Sequence, residues 1–166
     1  MLTALALAGS AIVLARGAHA QTPDSQSAAT RKPVHPIGIG LEEIEYPYSV
    51  KFFDLTIEGQ QVRTAYMDVP PTAAAKGKTV VLLHGKSFSG NYWAHMIATL
   101  TALGYRVVVS DQIGFGKSAK PDIRYRFDPL ARNTKICSLG VGRAAIVGHS
   151  FGGMLAVYFA RGTMHR

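Results

Sequence analysis

The sequence predicts an α/β fold: a mostly parallel sheet covered on both faces, with an antiparallel hairpin at its amino-terminal side. Three observations carry this. Near-continuous apolar runs of strand length recur at 79–83, 105–109 and 144–147, the pattern of strands buried on both faces. Segments with three- and four-residue apolar spacing follow them, which is helical periodicity. Two strand-like runs joined at Gly59-Gln60 precede them, which is a hairpin signal. Strand and helix alternating in this order makes a three-layer sandwich, since each parallel crossover lays a helix on a sheet face.

The elements follow in order. Residues 52–58 form a strand, Gly59-Gln60 turns it, and 62–69 answers as its partner, ended by Pro70-Pro71. Residues 79–83 lack alternation and form the first doubly covered strand. Asn91 caps a helix carrying Tyr92, Trp93, Met96, Ile97, Leu100 and Leu103, and Gly104 stops it. Residues 105–109 are the next strand, and 111–118 are a glycine-bearing loop. A short helix is expected within 127–139, with Pro129 in its first turn. Residues 144–147 are a third buried strand. The run 151–160 is apolar nearly all round and is expected to be a buried helix.

The chain has 166 residues, 48% apolar and 17% charged, which is enough for one domain with a core. Residues 1–20 read as a signal peptide. Met1 to Ala15 is uncharged and apolar, and Ala18-His19-Ala20 is a small-x-small cleavage site, although no Lys or Arg precedes the run. Cleavage after Ala20 implies a periplasmic or secreted protein. The alternative is a membrane anchor, but the run is shorter than the roughly 20 apolar residues of a span, so no integral membrane span is expected. Residues 21–48, polar and carrying four prolines, read as an extended lead-in, and 49–166 as the domain.

The formal charge is +8, with the basic residues scattered rather than blocked. No nucleic-acid partner is expected from that pattern. Cys137 is the sole cysteine, so an internal disulfide is excluded. The histidines show no metal-ligand spacing, and no cofactor is expected. Nothing in the sequence speaks to the oligomeric state.

The chemistry centres on Gly148-His149-Ser150-Phe151-Gly152, a G-x-S-x-G pentapeptide between a strand and a helix. Such a corner strains the serine backbone so that the hydroxyl projects, while the glycines let strand and helix approach. The Phe151 N–H, at the helix start, is placed to donate to an oxyanion. Two bland readings compete. Ser150 could be an ordinary helix cap, or the motif a phosphate loop, which would need a missing G-K-[S/T] ending. Context favours a nucleophile. His84-Gly85-Lys86 ends an earlier strand and offers the Lys86 N–H as a second oxyanion donor. Asp111-x-x-Gly114-x-Gly116-x-Ser118 forms a tight loop in which Asp111 and Ser118 bond amides. Asp111 reads as structural.

Together, His84-Gly85, the 111–118 loop and Gly148-His149-Ser150-Phe151-Gly152-Gly153 resemble the α/β-hydrolase superfamily, over about residues 50–160. The likeness is to its exported bacterial members in the epoxide hydrolase, haloperoxidase and proline iminopeptidase branches. The resemblance implies Ser150 as nucleophile, the Lys86 and Phe151 amides as oxyanion hole, and an eight-stranded sheet whose elbow follows the fifth strand. Epoxide hydrolases and dehalogenases of that fold use aspartate here, so a serine points to a small-molecule acyl substrate: an ester, lactone, thioester or amide.

That family orders nucleophile, acid, histidine. After Ser150 this sequence has no Asp or Glu and one histidine, His165. Fifteen helical residues span about 22 Å at about 1.5 Å each, too far for His165 to reach Ser150 unless the chain doubles back. His149 is expected to pack on the sheet, His84 to be structural and His95 to lie on a flanking helix. The chain therefore reads as the amino-terminal half of a hydrolase, truncated after the elbow helix, with a bare edge on the elbow strand and an incompletely covered helix 151–160. Two alternatives stay open: a non-catalytic, binding-only form of the fold, and an acyltransferase or lyase on the same scaffold.

Overall fold

The computed structural model describes residues 37–127, 130, 131, 134 and 144–164. Residues 1–20, the lead-in before 37, Cys137 and His165 lie outside the described residues.

Strand β1 (Val50–Ile57) and strand β2 (Gln60–Val69) form the hairpin, in antiparallel register from Val50↔Met67 to Ile57↔Gln60. The turn falls one residue earlier than expected, on Glu58 (φ 49°) and Gly59 (φ 79°). Two successive left-handed residues match the twist of the flanking strands, which explains the shift. Strands β3 (Thr79–Leu83), β4 (Arg106–Ser110) and β5 (Ala144–Gly148) are parallel, and the sheet order is β1-β2-β4-β3-β5. The hairpin joins through β2, antiparallel to β4 from Tyr66↔Ser110 to Val69↔Val107.

Pleating sends alternate residues of β3 and β4 to opposite faces, and each face has its own core. Val81, Leu83 and Val108 pack with Ile113, Leu130 and Leu155. Val80, Leu82, Val107 and Val109 pack with Met67, Val69, Trp93 and Ile97. Both faces are apolar because both are covered, which is why these strands lack alternation. Tyr46 and Tyr48 of the lead-in pack on the second core.

Between β3 and β4 the expected single helix is two pieces. A 3-10 turn at Gly90–Trp93 leads into helix α1 (Ala94–Ala102). Asn91 lies inside the turn and does not cap; its Oδ1 accepts from Ser89 Oγ at 2.7 Å. The apolar stripe is narrower than its sequence suggests: Ile97 and Thr101 are buried, but Tyr92, Met96 and Leu103 are exposed. Residues 127, 130, 131 and 134 are helical, with Leu130, Ala131 and Thr134 buried.

The last two elements depart from full burial. On β5, Ala144, Ala145 and Val147 are exposed, although all five β3 positions are buried. Among the described residues β5 pairs only with β3, so its other side has no ladder partner. Helix α2 (Phe151–Met164) buries Gly152 and Leu155 but exposes Met154, Val157 and Tyr158.

Candidate active site

The corner after β5 is tight. The His149 N–H donates to the Leu83 carbonyl at 3.0 Å, continuing the β3–β5 pairing one residue past Gly148. The chain then reverses, and Gly152 N–H and Gly153 N–H donate to the His149 and Ser150 carbonyls, each at 2.9 Å. A Cβ on Gly148 would overlap the Gly152 backbone, and one on Gly152 would overlap the Leu83 carbonyl. Strand and helix touch backbone to backbone, which only glycine allows.

Ser150 sits at the apex with φ 51° and is exposed. Left-handed backbone costs a non-glycine residue on the order of 1–2 kcal/mol, so the surrounding contacts hold it there. The Phe151 amide opens α2 and donates to no other described residue, as expected of an amide in a helix's first turn. Its ring packs on Phe115 and Phe127, with centroids 6.0 and 5.5 Å away.

The second candidate donor lies after β3. His84 is fully buried. Its Nε2 accepts from the Gln112 N–H at 2.9 Å, so Nδ1 carries the proton and donates to the Gly85 carbonyl at 2.8 Å. Burial holds the His84 pKa below its ordinary 6.5, against the raising effects of the Gly85 hydrogen bond and the Asp111 charge. With both nitrogens engaged and the ring buried, His84 cannot accept a proton from a nucleophile. Its work is to tie the His-Gly turn to the 111–118 loop. The turn continues as Phe88 N–H donates to Gly85 O at 3.2 Å, with Ser87 at φ 64°. Within it Lys86 is exposed, and its amide donates to no other described residue.

The 111–118 loop is anchored by Asp111, 2% exposed. Its Oδ1 accepts from Gly90 N–H at 2.6 Å, and its Oδ2 from Lys117 N–H at 2.7 Å and the Tyr46 hydroxyl at 2.6 Å. Ser118 Oγ donates to Asp111 O and accepts from Ala65 N–H. Asp111 is thus fully occupied in joining the lead-in, the turn before α1 and its own loop. Burial first, and then the Asp111 charge, push the Tyr46 pKa well above 10. Sequence reasoning gave Tyr46 no role; its only signal was an aromatic residue standing in a polar, proline-bearing segment.

His149 does not pack on the sheet as expected. It is exposed, with Nδ1 3.3 Å from the Tyr92 hydroxyl and its ring against Phe88 and Tyr92. The ring lies over Gly85, where a Cβ would stand 3.0 Å from His149 Nδ1, so the missing side chain leaves it room beside the aromatic pair. Burial raises the Tyr92 pKa, opposed by a hydrogen bond from the Gly85 backbone. Trp93 is core, stacked on Tyr92 with ring centroids 4.7 Å apart. His95 is exposed on α1.

Beside the corner opens a cleft of about 530 Å³, lined by Lys86, Gly114, Phe115, Tyr125, Arg126, Phe127, Leu130 and Phe151. Its volume is that of a small-molecule site. It brings together Lys86 and Phe151, far apart in the chain, and adds aromatic walls that single-sequence reasoning missed. Phe115 had one signal, an apolar residue set between Gly114 and Gly116 of the tight loop. Among the described residues no three His, Cys, Asp or Glu side chains gather as a metal site, and no helix is long and apolar enough to cross a membrane.

A mixed sheet whose fifth strand passes through a strained Gly-x-Ser-x-Gly corner into the next helix defines an α/β protein of the strand–serine turn–helix kind. The family model described as "alpha/beta hydrolase fold" matches residues 78–162, slightly more than half of the chain, and the protein belongs to that family. The chain is 40% identical over 100 residues to Epoxide hydrolase B of Mycobacterium tuberculosis, a match covering 58% of this chain and 28% of the relative. It is 35% identical over 119 residues to 2-hydroxy-6-oxo-6-(2'-aminophenyl)hexa-2,4-dienoic acid hydrolase of Metapseudomonas resinovorans, covering 68% and 39%. The crystal structure of a probable hydrolytic enzyme from Pseudomonas aeruginosa PAO1 superposes with TM-score 0.73 and 44% identity, over 77% of this chain and 42% of that one. These matches span between 28% and 42% of the relatives' own length.

Proposed function

We propose that this chain carries the nucleophile and oxyanion hole of a serine hydrolase acting on a small ester or related acyl substrate. The observation supporting it best is Ser150: exposed, at φ 51°, directly before an amide that has no partner among the described residues and whose residue lines the cleft. In this reading Ser150 Oγ attacks the acyl carbon, and the negative charge moves onto the carbonyl oxygen facing the Lys86 and Phe151 amides. Collapse expels the alcohol or thiol, which takes up a proton, and leaves an acyl-serine that water then hydrolyses. The serine, in place of the aspartate that epoxide- and halide-processing members of the fold use, favours acyl transfer over epoxide opening. The proton acceptor is assigned to a histidine–carboxylate pair outside the described residues.

The test is to treat the whole protein with a fluorophosphonate and map the adduct by mass spectrometry. Labelling on Ser150, abolished by Ser150→Ala, is expected; an unlabelled Ser150 ends this reading. A binding-only reading has one observation in its favour: among the described histidines, His84 is buried with both nitrogens engaged and His149 is turned onto Tyr92. Hydrolysis of short p-nitrophenyl esters at enzyme-like rates, lost in Ser150→Ala, excludes it. Excess alcohol diverting the acyl group from water would identify an acyltransferase.

A further inference from the structure

The cleft beside the elbow has an uneven chemistry. Phe115, Tyr125, Phe127 and Phe151 give it aromatic walls, and Leu130 closes it from the core side. Among the described residues Lys86 and Arg126 are the charged ones that line it, both exposed. Neither side chain makes an ion pair or hydrogen bond among the described residues, in contrast to Arg106, which is paired with Asp68 at 2.7 Å. Nor, among the described residues, does either cation lie over a ring, as Arg63, Lys76 and Lys117 do. Burial, and then the Asp122 charge, raise the Tyr125 pKa.

Two cations that no described residue engages, set at an aromatic cleft, make a site for an apolar ring bearing an oxyanion. A guanidinium presents a planar donor fork suited to carboxylate or phosphate, and an ammonium adds a point charge. The flanking low-dielectric walls strengthen that attraction. We infer that the acyl group accepted here is an aryl or similarly flat apolar group carrying a second, anionic substituent, held by Arg126 and Lys86 while its ring lies against Phe115, Phe127 and Phe151. This rests on the cleft being the acyl site of the proposed hydrolase, but the recognition itself does not need Ser150 to react.

The experiment is equilibrium binding to the whole protein at low salt, by titration calorimetry, of three matched compounds: terephthalate, 4-phosphonobenzoate and the neutral terephthalamide. At least one dianion is expected to bind about fivefold or more tightly than the diamide, the scale of one charge-assisted hydrogen bond at a partly exposed site. Which dianion binds better tells carboxylate from phosphate recognition. The preference should collapse in Arg126→Gln and persist in Arg126→Lys, which keeps the charge and controls for folding. Equal binding of charged and neutral compounds, binding of none of them, or a preference untouched in the Arg126→Gln/Lys86→Gln double variant overturns the inference. Charge-selective binding without fluorophosphonate labelling would leave the recognition of an anionic aryl group standing and remove the hydrolase reading, and with it the acyl role; labelling without charge selectivity would do the reverse.

Discussion

Gly152 and Leu83 are in backbone contact: the α-carbon of one faces the carbonyl of the other with no room for a methyl group between them. This contact seats the start of α2 on the end of β3 and fixes where Ser150 stands. Gly152→Ala must push helix and strand apart, at a cost of about 1–3 kcal/mol or more for overpacking. The expected outcome in thermal denaturation is a lowered midpoint, together with weaker fluorophosphonate labelling. An unchanged midpoint would show that the helix is not seated as described.

Ser150 holds a backbone conformation that glycine adopts at no steric cost. Ser150→Gly is therefore expected to raise stability by about 0.5–1 kcal/mol, the left-handed strain removed less the added chain entropy, while abolishing any acyl transfer. Chemical denaturation of Ser150→Gly beside Ser150→Ala separates backbone strain from loss of the hydroxyl. If glycine is no more stable than alanine, the strain is absent.

Asp111 holds three donors from three segments. Asp111→Ala leaves them buried without an acceptor and is expected to cost about 3 kcal/mol or more, given about 1.5–3 kcal/mol for a hydrogen bond to a charged group. Tyr46→Phe removes one of the three and should cost about 1–2 kcal/mol. In the double variant the Tyr46 effect should largely vanish, since its partner is gone. Full additivity would contradict the contact.

His84 links stability to pH. Its folded pKa lies below its ordinary 6.5 because the ring is buried. The unfolded chain therefore binds the extra proton, and stability rises with pH wherever it does. The His84 contribution is complete above about pH 6.5 and is lost progressively as the pH falls below that value. Denaturation midpoints between pH 7.5 and 5 should slope downward toward acid, and the slope should be smaller in His84→Gln whatever that variant's absolute stability. An equal slope would mean that another group is responsible.

Asp68 and Arg106 form a two-bond pair at 2.7 and 2.8 Å across β2 and β4. The Arg106 hydrogen bonds hold the Asp68 carboxyl below its ordinary 3.8. The Arg106 and Asp68 side chains are 38% and 21% exposed, so Arg106→Gln should cost only about 0.5–1 kcal/mol, and less in high salt. A loss that salt does not reduce would argue for packing rather than charge.

Local signals carried much of the layout. Burial on both faces writes itself into Thr79–Leu83 and Arg106–Ser110 as runs without alternation, and the hairpin and the five-strand order of appearance are legible in the same way. The serine corner is legible because strain and close approach demand particular residues at adjacent positions, Gly148, Ser150 and Gly152. The structural role of Asp111 was readable too, from loop glycines beside a short acceptor.

What lay beyond the sequence depends on neighbours distant along the chain. That β5 is exposed on much of its surface follows from its place at the edge of the sheet among the described residues, not from its apolar residues Ala144–Val147. Tyr46 meets Asp111 across 65 positions, and no periodicity encodes that. His149 meets Phe88 and Tyr92 over Gly85, whose missing side chain leaves the ring its space. The cleft itself, with Lys86 and Arg126 brought to one aromatic mouth, exists only once three loops converge. Sequence fixes what each segment prefers to bury or bend; which side chains face one another is settled by packing, because excluded volume acts between segments irrespective of their separation in the chain.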